Sequence, residues 1–313
     1  MWVWRWLRRW LGFTGPRHRH VLAQVAAPAN LHAALARVRH RMREAGASAT
    51  AADRFAQNGH LTKLAKALRR GRYRPGGTRR VKLVKALGGV RHLDLLTLTD
   101  RVAQSAAHQV LSPLLDPHFA ETSFGFRPNR SLADAIERVR ALGRSGHNHV
   151  VRGDVTECFA RIRHDRLLNA LADRIADRRL RRLVRRWLQA FGKGGRGLPQ
   201  GAPLSPLLCN LALDAFDHAF ASGPGKLVRF ADDFVILCRN RGEAEAALGR
   251  ATRLLAQEGL CPSRSKTRIT SFSDGFEFLG HWFVRDHLLR DALKGPSPQL
   301  KRRADAGAAR LAR

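Results

Sequence analysis

The chain has 313 residues, 44% of them hydrophobic, which is material for one large domain or two ordinary ones and excludes a disordered polymer. Its 57 Lys and Arg against 25 Asp and Glu leave a formal charge of +32, spread along the whole length, so the expected partner is a polyanion, with nucleic acid favoured over an acidic membrane. Only nine of those 57 are Lys, and part of the excess is discounted because an Arg- and Ala-heavy chain also follows from biased genome composition.

The opening "MWVWRWLRRWLGF" has Arg5, Arg8 and Arg9 threaded through it, so it offers no uninterrupted apolar segment, and no span approaches the ~20 apolar residues of a membrane helix. A cytoplasmic protein is expected. Trp2, Trp4, Trp6 and Trp10 read as a segment packed on the body of the fold, with an Arg/Trp surface for bases or a membrane interface as the rival. Residues 1–70 read as a basic helical region, with helical periodicity over 20–70 closed by Gly71, Pro75, Gly76 and Gly77. "RRVKLVKALGGVRHLDLL" predicts two strands around Gly88 and Gly89, and a helix is predicted from Asp100 as N-cap. "HVVRGDV" predicts a strand ending on Asp154. One long helix is predicted over 164–191, whose Arg-rich stretch 178–186 reads equally as a duplex-facing or a solvated face. "GKGGRGLPQG" reads as loop, "PLSPLLCNLALDAFDHAFA" as helix, "KLVRFADDFVILC" as a hairpin, Gly242 to Glu258 as helix, and "TRITSF" and "FEFLGHWFV" as a final pair of strands. The alternation lacks strict βαβ regularity, so the fold class is α+β. Cys158, Cys209, Cys238 and Cys261 lie far apart with no CxxC pair, which predicts buried thiols rather than a zinc site or disulfides.

The side-by-side acids Asp232 and Asp233 are the chemical anomaly. An isolated pair of this kind is usually a polar turn, but here the arms "LVRF" and "FVIL" are apolar, so two like charges sit at the edge of a core. A divalent cation relieves that conflict, and Asp154, at the end of its own strand, supplies the further carboxylate that two-metal phosphoryl transfer needs. A polymerase or a nuclease follows.

"SFGFRPNRSLADAI", "DVTECF", "GLPQGAPLSPLLCNLALDAFD", "RFADDFVILC", "SRSKTRI" and "FEFLGHWF" in this order resemble the fingers and palm of bacterial reverse transcriptases of the group II intron-like lineage, over roughly 70–290. The resemblance implies a right-hand polymerase with a helical region at 1–70, fingers at 71–148, palm at 149–290 and a basic tail or thumb remnant at 291–313. It implies two Mg²⁺, replaceable by Mn²⁺, at Asp154, Val155, Asp232 and Asp233, with Lys266 as a general acid near the pyrophosphate. Lys85, Arg91, Val155, Phe159, Gln200 and Gly201 match positions around the incoming deoxynucleoside triphosphate. Phe159 rejects a ribose by bulk, and the Gly201 position lets backbone come close. Arg127, Arg130, Phe230, Phe278, Leu279 and Gly280 match positions at template and primer, which are RNA and either DNA or RNA.

Phe230 stands where Tyr is commoner in that lineage, and Asn129 where Gly is usual. The short tail implies poor retention of duplex, or a partner that completes the clamp. "GFEFLGHWF" and the compact length are similar to CRISPR-associated reverse transcriptases, which implies an integrase partner and a defence setting. The alternatives are an RNA-binding splicing cofactor of group II intron type, and template-independent or protein-primed synthesis on the same palm. A two-metal nuclease uses the acids but has no need of Phe159 or Gly201.

Overall fold

The computed structural model describes residues 18–46, 50–84, 90–220, 223–285 and 287–290. The Trp-rich opening, Lys85 and the basic tail from 291 lie outside them. In chain order the elements are α1 (Val21–Val25), α2 (Pro28–Glu44), α3 (Thr50–Gln57), α4 (His60–Arg69), β1 (Thr78–Val84), β2 (Val90–Leu96), α5 (Leu98–Leu115), α6 (Leu132–Arg144), β3 (His149–Asp154), α7 (Cys158–Arg161), α8 (His164–Arg174), α9 (Arg178–Phe191), α10 (Ser205–Ala219), β4 (Lys226–Phe230), β5 (Asp233–Cys238), α11 (Arg241–Gln257), β6 (Arg268–Ser271), β7 (Phe276–Phe278), β8 (His281–Val284) and β9 (His287–Arg290). They group into two compact units.

Among the described residues, the first unit comprises those from 18 to 115, 164–195 and 200–204. Leu31, Ala34, Leu35 and Val38 form the buried stripe of α2, spaced as one helix face requires. Asn30 ties that helix to α5, donating to the Ala106 carbonyl at 3.1 Å and accepting from Gln109 Nε2 at 3.0 Å. β1 and β2 form the expected antiparallel hairpin. α5 starts at Leu98, two residues before the expected N-cap, because Thr97 Oγ1 accepts from the Asp100 N–H at 3.1 Å and so caps the helix itself. Asp100 instead turns its buried carboxylate to the Gly76 N–H at 2.9 Å, the Thr97 hydroxyl at 2.7 Å and the Tyr73 hydroxyl. Trp187 Nε1 donates to the same Tyr73 oxygen at 3.1 Å, and burial, reinforced by Asp100, pushes that phenol far above its usual range. The helix expected over 164–191 is two helices. Asp177 breaks it, accepting from the Arg179 N–H at 2.9 Å as N-cap of α9 and from the Leu22 N–H at 2.8 Å.

His108 on α5 is pushed down to about 4, by burial first and then by Arg37 and Arg41. It is therefore neutral in the fold at pH values where the unfolded chain protonates it. The associated stability is complete above pH 6.5 and is lost as pH falls toward 4. We expect the unfolding free energy to drop by on the order of 3 kcal/mol across that window. Urea melts should show this slope in the wild type and its loss in His108→Gln.

Among the described residues, the second unit comprises 116–163, 196–199 and those from 205 to 290. Its main sheet is antiparallel in the order β4-β5-β3-β6. Phe234 to Cys238 of β5 are all buried, the continuous apolar run expected of a strand covered on both faces; α6 packs on β4 and β5, and α11 on β3 and β5. The "FEFLGHWFV" stretch is two strands rather than one, because Leu279 and Gly280 take φ of 53° and 76° and reverse the chain between β7 and β8.

The units divide the chain differently from the expected domains. Residues 116–148, expected in the fingers, pack into the second unit, because the apolar face of α6, Ala135, Ile136, Val139 and Leu142, joins the core with Val228 and Val235 of the sheet. Residues 164–195, expected in the palm, pack into the first.

Candidate active site

The acids arise where the two central strands of the main sheet end. β3 and β5 run antiparallel in a register that sets Asp154 opposite Asp233, and the Val155 N–H donates to the Asp232 carbonyl at 2.9 Å. Asp154 is pinned from its other side by the Ser263 N–H, which donates to its carbonyl at 2.7 Å. Asp154 and the adjacent pair Asp232 and Asp233, distant from it in sequence, thus share one end of the sheet. Gly153 allows this spacing, since a Cβ there would lie 2.3 Å from the ring of Phe234, its cross-strand partner. We expect Gly153→Ala to displace that ring at a cost of about 1–3 kcal/mol, read as a lower urea midpoint, with a loss of activity beyond the loss of folded protein.

Like charges crowd this end of the sheet. Burial is the main cause that raises the Asp233 carboxyl to about 7; Arg152 opposes it, while Asp154 and Asp232 push it further up. Arg152 Nη1 lies 2.9 Å from Asp233 Oδ1, yet that buried oxygen accepts no well-formed hydrogen bond. Lys266 Nζ donates to Asp154 Oδ2 at 2.9 Å. Among the described residues no three His, Cys, Asp or Glu side chains converge as a ready ion cage, because Arg152 and Lys266 hold two of the carboxylates instead. Asp154, Asp232 and Asp233, carried at one end of the sheet and one of them with an unsatisfied buried oxygen, are nonetheless hard oxygen donors, and the residues fit divalent metal in chemistry.

The other expected residues are distributed over both units. In the second, Val155 is buried beside Asp154, and Phe159 is half-buried at α7 with its carbonyl accepting from the Leu198 N–H at 2.7 Å. Phe230 packs its ring 6.1 Å from that of the exposed Phe126. In the first unit, Arg91 lies on β2 opposite Leu83. Gln200 is fastened to that hairpin through Asp94, whose N–H donates to the Gln200 carbonyl at 2.9 Å and whose carboxylate accepts from the Gln200 N–H at 3.2 Å and from Arg80 Nε at 2.9 Å. Gly201 takes φ of 96°, a backbone angle that calls for glycine, and a Cβ there would meet Leu93 at an ordinary 3.8 Å.

Several residues expected at nucleic acid make contacts within the protein. Arg127 is buried and spends its donors on Asp116 Oδ1 at 2.7 Å and on the carbonyls of Ala120, Ser123 and Asp116. It braces its loop with four of its five N–H donors. Arg130 pairs with Glu121 and lies over the Phe124 ring. Phe278 is wholly buried in the core, so at the expected primer-gripping bend only Leu279 and Gly280 reach the surface.

Reading the sequence passed over Arg229, Asp217, Asn210 and Asp94. Arg229 and Asp217 are both fully buried and joined side to side, Nε donating to Oδ1 at 2.6 Å and Nη2 to Oδ2. Burial lowers the Arg229 pKa, but Asp217 more than restores it, and the guanidinium remains charged. The available signal was an Arg inside the apolar "LVRF" together with an Asp inside the apolar "LALDAFD", two buried charges of opposite sign that need each other.

An antiparallel sheet that ends in one acid on a central strand and two at the adjoining bend is the palm of a template-directed nucleic-acid polymerase. More narrowly, the chain belongs to the reverse transcriptase (RNA-dependent DNA polymerase) family, which matches residues 82–283. It is 30% identical over 263 residues to Protein YkfC of Escherichia coli (strain K12), covering 69% of this chain and 68% of YkfC. It is 33% identical over 175 residues to the group II intron-encoded protein LtrA of Lactococcus lactis subsp. cremoris, covering 53% of this chain and 29% of LtrA. These relatives bear out the group II intron-like lineage. Among solved structures, a chain of a partial Cas6-RT-Cas1--Cas2 complex is 27% identical, with 74% of this chain and 40% of that one covered and a TM-score of 0.45. A telomerase from Candida albicans, at 15% identity and a TM-score of 0.50, shares the fold over 74% of this chain and 48% of its own. The chain spans less than half the length of LtrA and of both of these solved chains.

Proposed function

We propose that this palm extends a primer on an RNA template from deoxynucleoside triphosphates, with Asp154, Asp232, Asp233 and the main chain at Val155 holding two Mg²⁺, or Mn²⁺ in their place. The observation that carries the reading is the register that sets Asp154 opposite Asp233 beside the Val155 to Asp232 hydrogen bond of 2.9 Å. When bound, such ions supply a lowered pKa at the primer 3′-hydroxyl and charge neutralisation at the triphosphate. Lys266, carrying a proton beside Asp154, gives it to the departing pyrophosphate. Phe159 excludes a 2′-hydroxyl. Lys85, Arg91, Gln200 and Gly201 bind the nucleotide, Gln200 being held in place by Asp94, and Phe230, Leu279 and Gly280 meet the primer. The exposed Arg178, Arg179, Arg182 and Arg185 of α9 add affinity for phosphates.

No helix among the described residues is long and apolar enough to cross a membrane. The four cysteines are free thiols, three of them buried, in keeping with work in a reducing cytoplasm. The likeness of "GFEFLGHWF" to CRISPR-associated reverse transcriptases supports an integrase as a partner, which co-purification from the native host tests. The chemistry is tested by incubating the purified chain with a primed RNA, deoxynucleotides and Mg²⁺. Labelled DNA complementary to the RNA is expected, and it should disappear with chelator. Products that lengthen equally without template would replace this reading with template-independent synthesis, and RNA binding without product would replace it with a splicing-cofactor role.

A further inference from the structure

Arg229 occupies β4 three residues before Asp232, with no side-chain exposure at all. A guanidinium has five N–H donors, and every one here is committed. Nε and Nη2 take the two Asp217 oxygens, Nη2 also reaches Ser123 Oγ at 2.8 Å, and Nη1 donates to Asn210 Oδ1 at 3.2 Å and to the Ala231 carbonyl at 2.6 Å. The last bond bears on function. Ala231 is a non-glycine residue held at φ 59°, and it is the bend that presents Asp232 and Asp233.

The same bend is clamped from its other side. A Cβ on Gly125 would stand 2.6 Å from the Ala231 nitrogen and 3.1 Å from the Phe230 carbonyl carbon, so the Ser123–Phe126 loop lies flat on the bend. Asn210 Nδ2 holds the Gly125 carbonyl at 2.8 Å while its Oδ1 accepts from Arg229. The Arg229 main chain completes the junction, its N–H donating to the Thr122 carbonyl and its carbonyl accepting from the Phe124 N–H, each at 2.8 Å. Asn210 and Asp217 are seven residues apart on α10, two helical turns, and so present one face to the guanidinium.

A buried ion pair is weak evidence for stability, since apolar replacements of similar volume are often as stable. What an apolar pair cannot do is fix a carbonyl at 2.6 Å. Resting on the two-metal reading above, we propose that Arg229, with Asp217 and Asn210 orienting it, is a positioning residue that sets the geometry of the Asp232–Asp233 bend through the Ala231 carbonyl, and thereby the affinity of the site for divalent metal.

The test compares wild type, Asn210→Ala, Arg229→Lys and the apolar double variant Arg229→Met/Asp217→Leu as full chains. Mn²⁺ binding is followed by electron paramagnetic resonance, the Mg²⁺ dependence of primer extension is measured, and thermal melts and RNA affinity serve as controls. Each variant is expected to weaken Mn²⁺ binding and to raise the Mg²⁺ needed for half-maximal rate by about 10- to 100-fold, with RNA affinity unchanged and kcat falling more than KM for template rises. Any folded variant of the three that keeps wild-type Mn²⁺ affinity and Mg²⁺ dependence overturns the proposal and leaves a purely structural network. If the double variant does not fold, Asn210→Ala decides alone, because it leaves the ion pair in place. Absence of extension in the wild type would count against the polymerase reading, while the Mn²⁺ arm would still decide the role of Arg229.

Discussion

Replacing Asp154 or Asp232 by Asn is expected to lower DNA synthesis on primed RNA by on the order of 10³-fold or more, equivalent to about 4 kcal/mol in the barrier. Asn keeps the size of the side chain and removes the charge, so the loss falls on cation binding rather than on packing. For Asp154 the folded state sacrifices only the pairing with Lys266, whose side chain is 58% exposed, and such pairs contribute at most about 1 kcal/mol. RNA binding should change little, because one unit of charge is small beside a net +32. Single-turnover extension and filter binding on the same preparations check both halves. Synthesis within tenfold of wild type in either variant would mean that the strand end shared by Asp154 and Asp233 is not the seat of the chemistry.

Phe159→Ala is expected to admit ribonucleotides, lowering the preference for deoxynucleotides by roughly 10- to 100-fold, the range over which a hydrophobic wall discriminates by one hydroxyl. Phe159 is partly exposed and follows the Glu157 position, where φ is 46°, so the start of α7 turns sharply just after the strand that carries Asp154. Its side chain is not wholly given over to the core, as a purely structural Phe would be. The measurement is kcat/KM for each of the two nucleotide types on the same primed template. A variant that rejects ribonucleotides as strongly as the wild type would reduce Phe159 to packing.

Several features of this site were legible before any coordinates. An apolar strand that ends on a lone acid, and an apolar hairpin that carries two acids at its bend, announce a cost in like-charge repulsion that only a cation relieves, so Asp154, Asp232 and Asp233 could be picked out from residue chemistry. The hairpins at 78–96 and 226–238 followed from β-branched runs on either side of a turn, a local signal. The break at Asp177 and the bend at Leu279–Gly280 were harder, since helical and apolar periodicity continue through both, and only the hydrogen bond from Leu22 and the reversal between β7 and β8 reveal them.

The order of residues therefore determined the chemistry available to this protein: a strongly cationic chain, three acids at strand ends and an aromatic five residues beyond the first. Tertiary structure decided what those groups are attached to. It buried Arg127 in its own loop, moved α6 onto the palm sheet, tied Gln200 to the β1–β2 hairpin through Asp94, and locked the Ala231 bend with an Arg and an Asp from different elements. The physical reason is that hydropathy and turn preferences act over a few residues, whereas a buried charge or carbonyl must find its partner wherever the chain brings one, and here that partner can lie as far as 106 positions away.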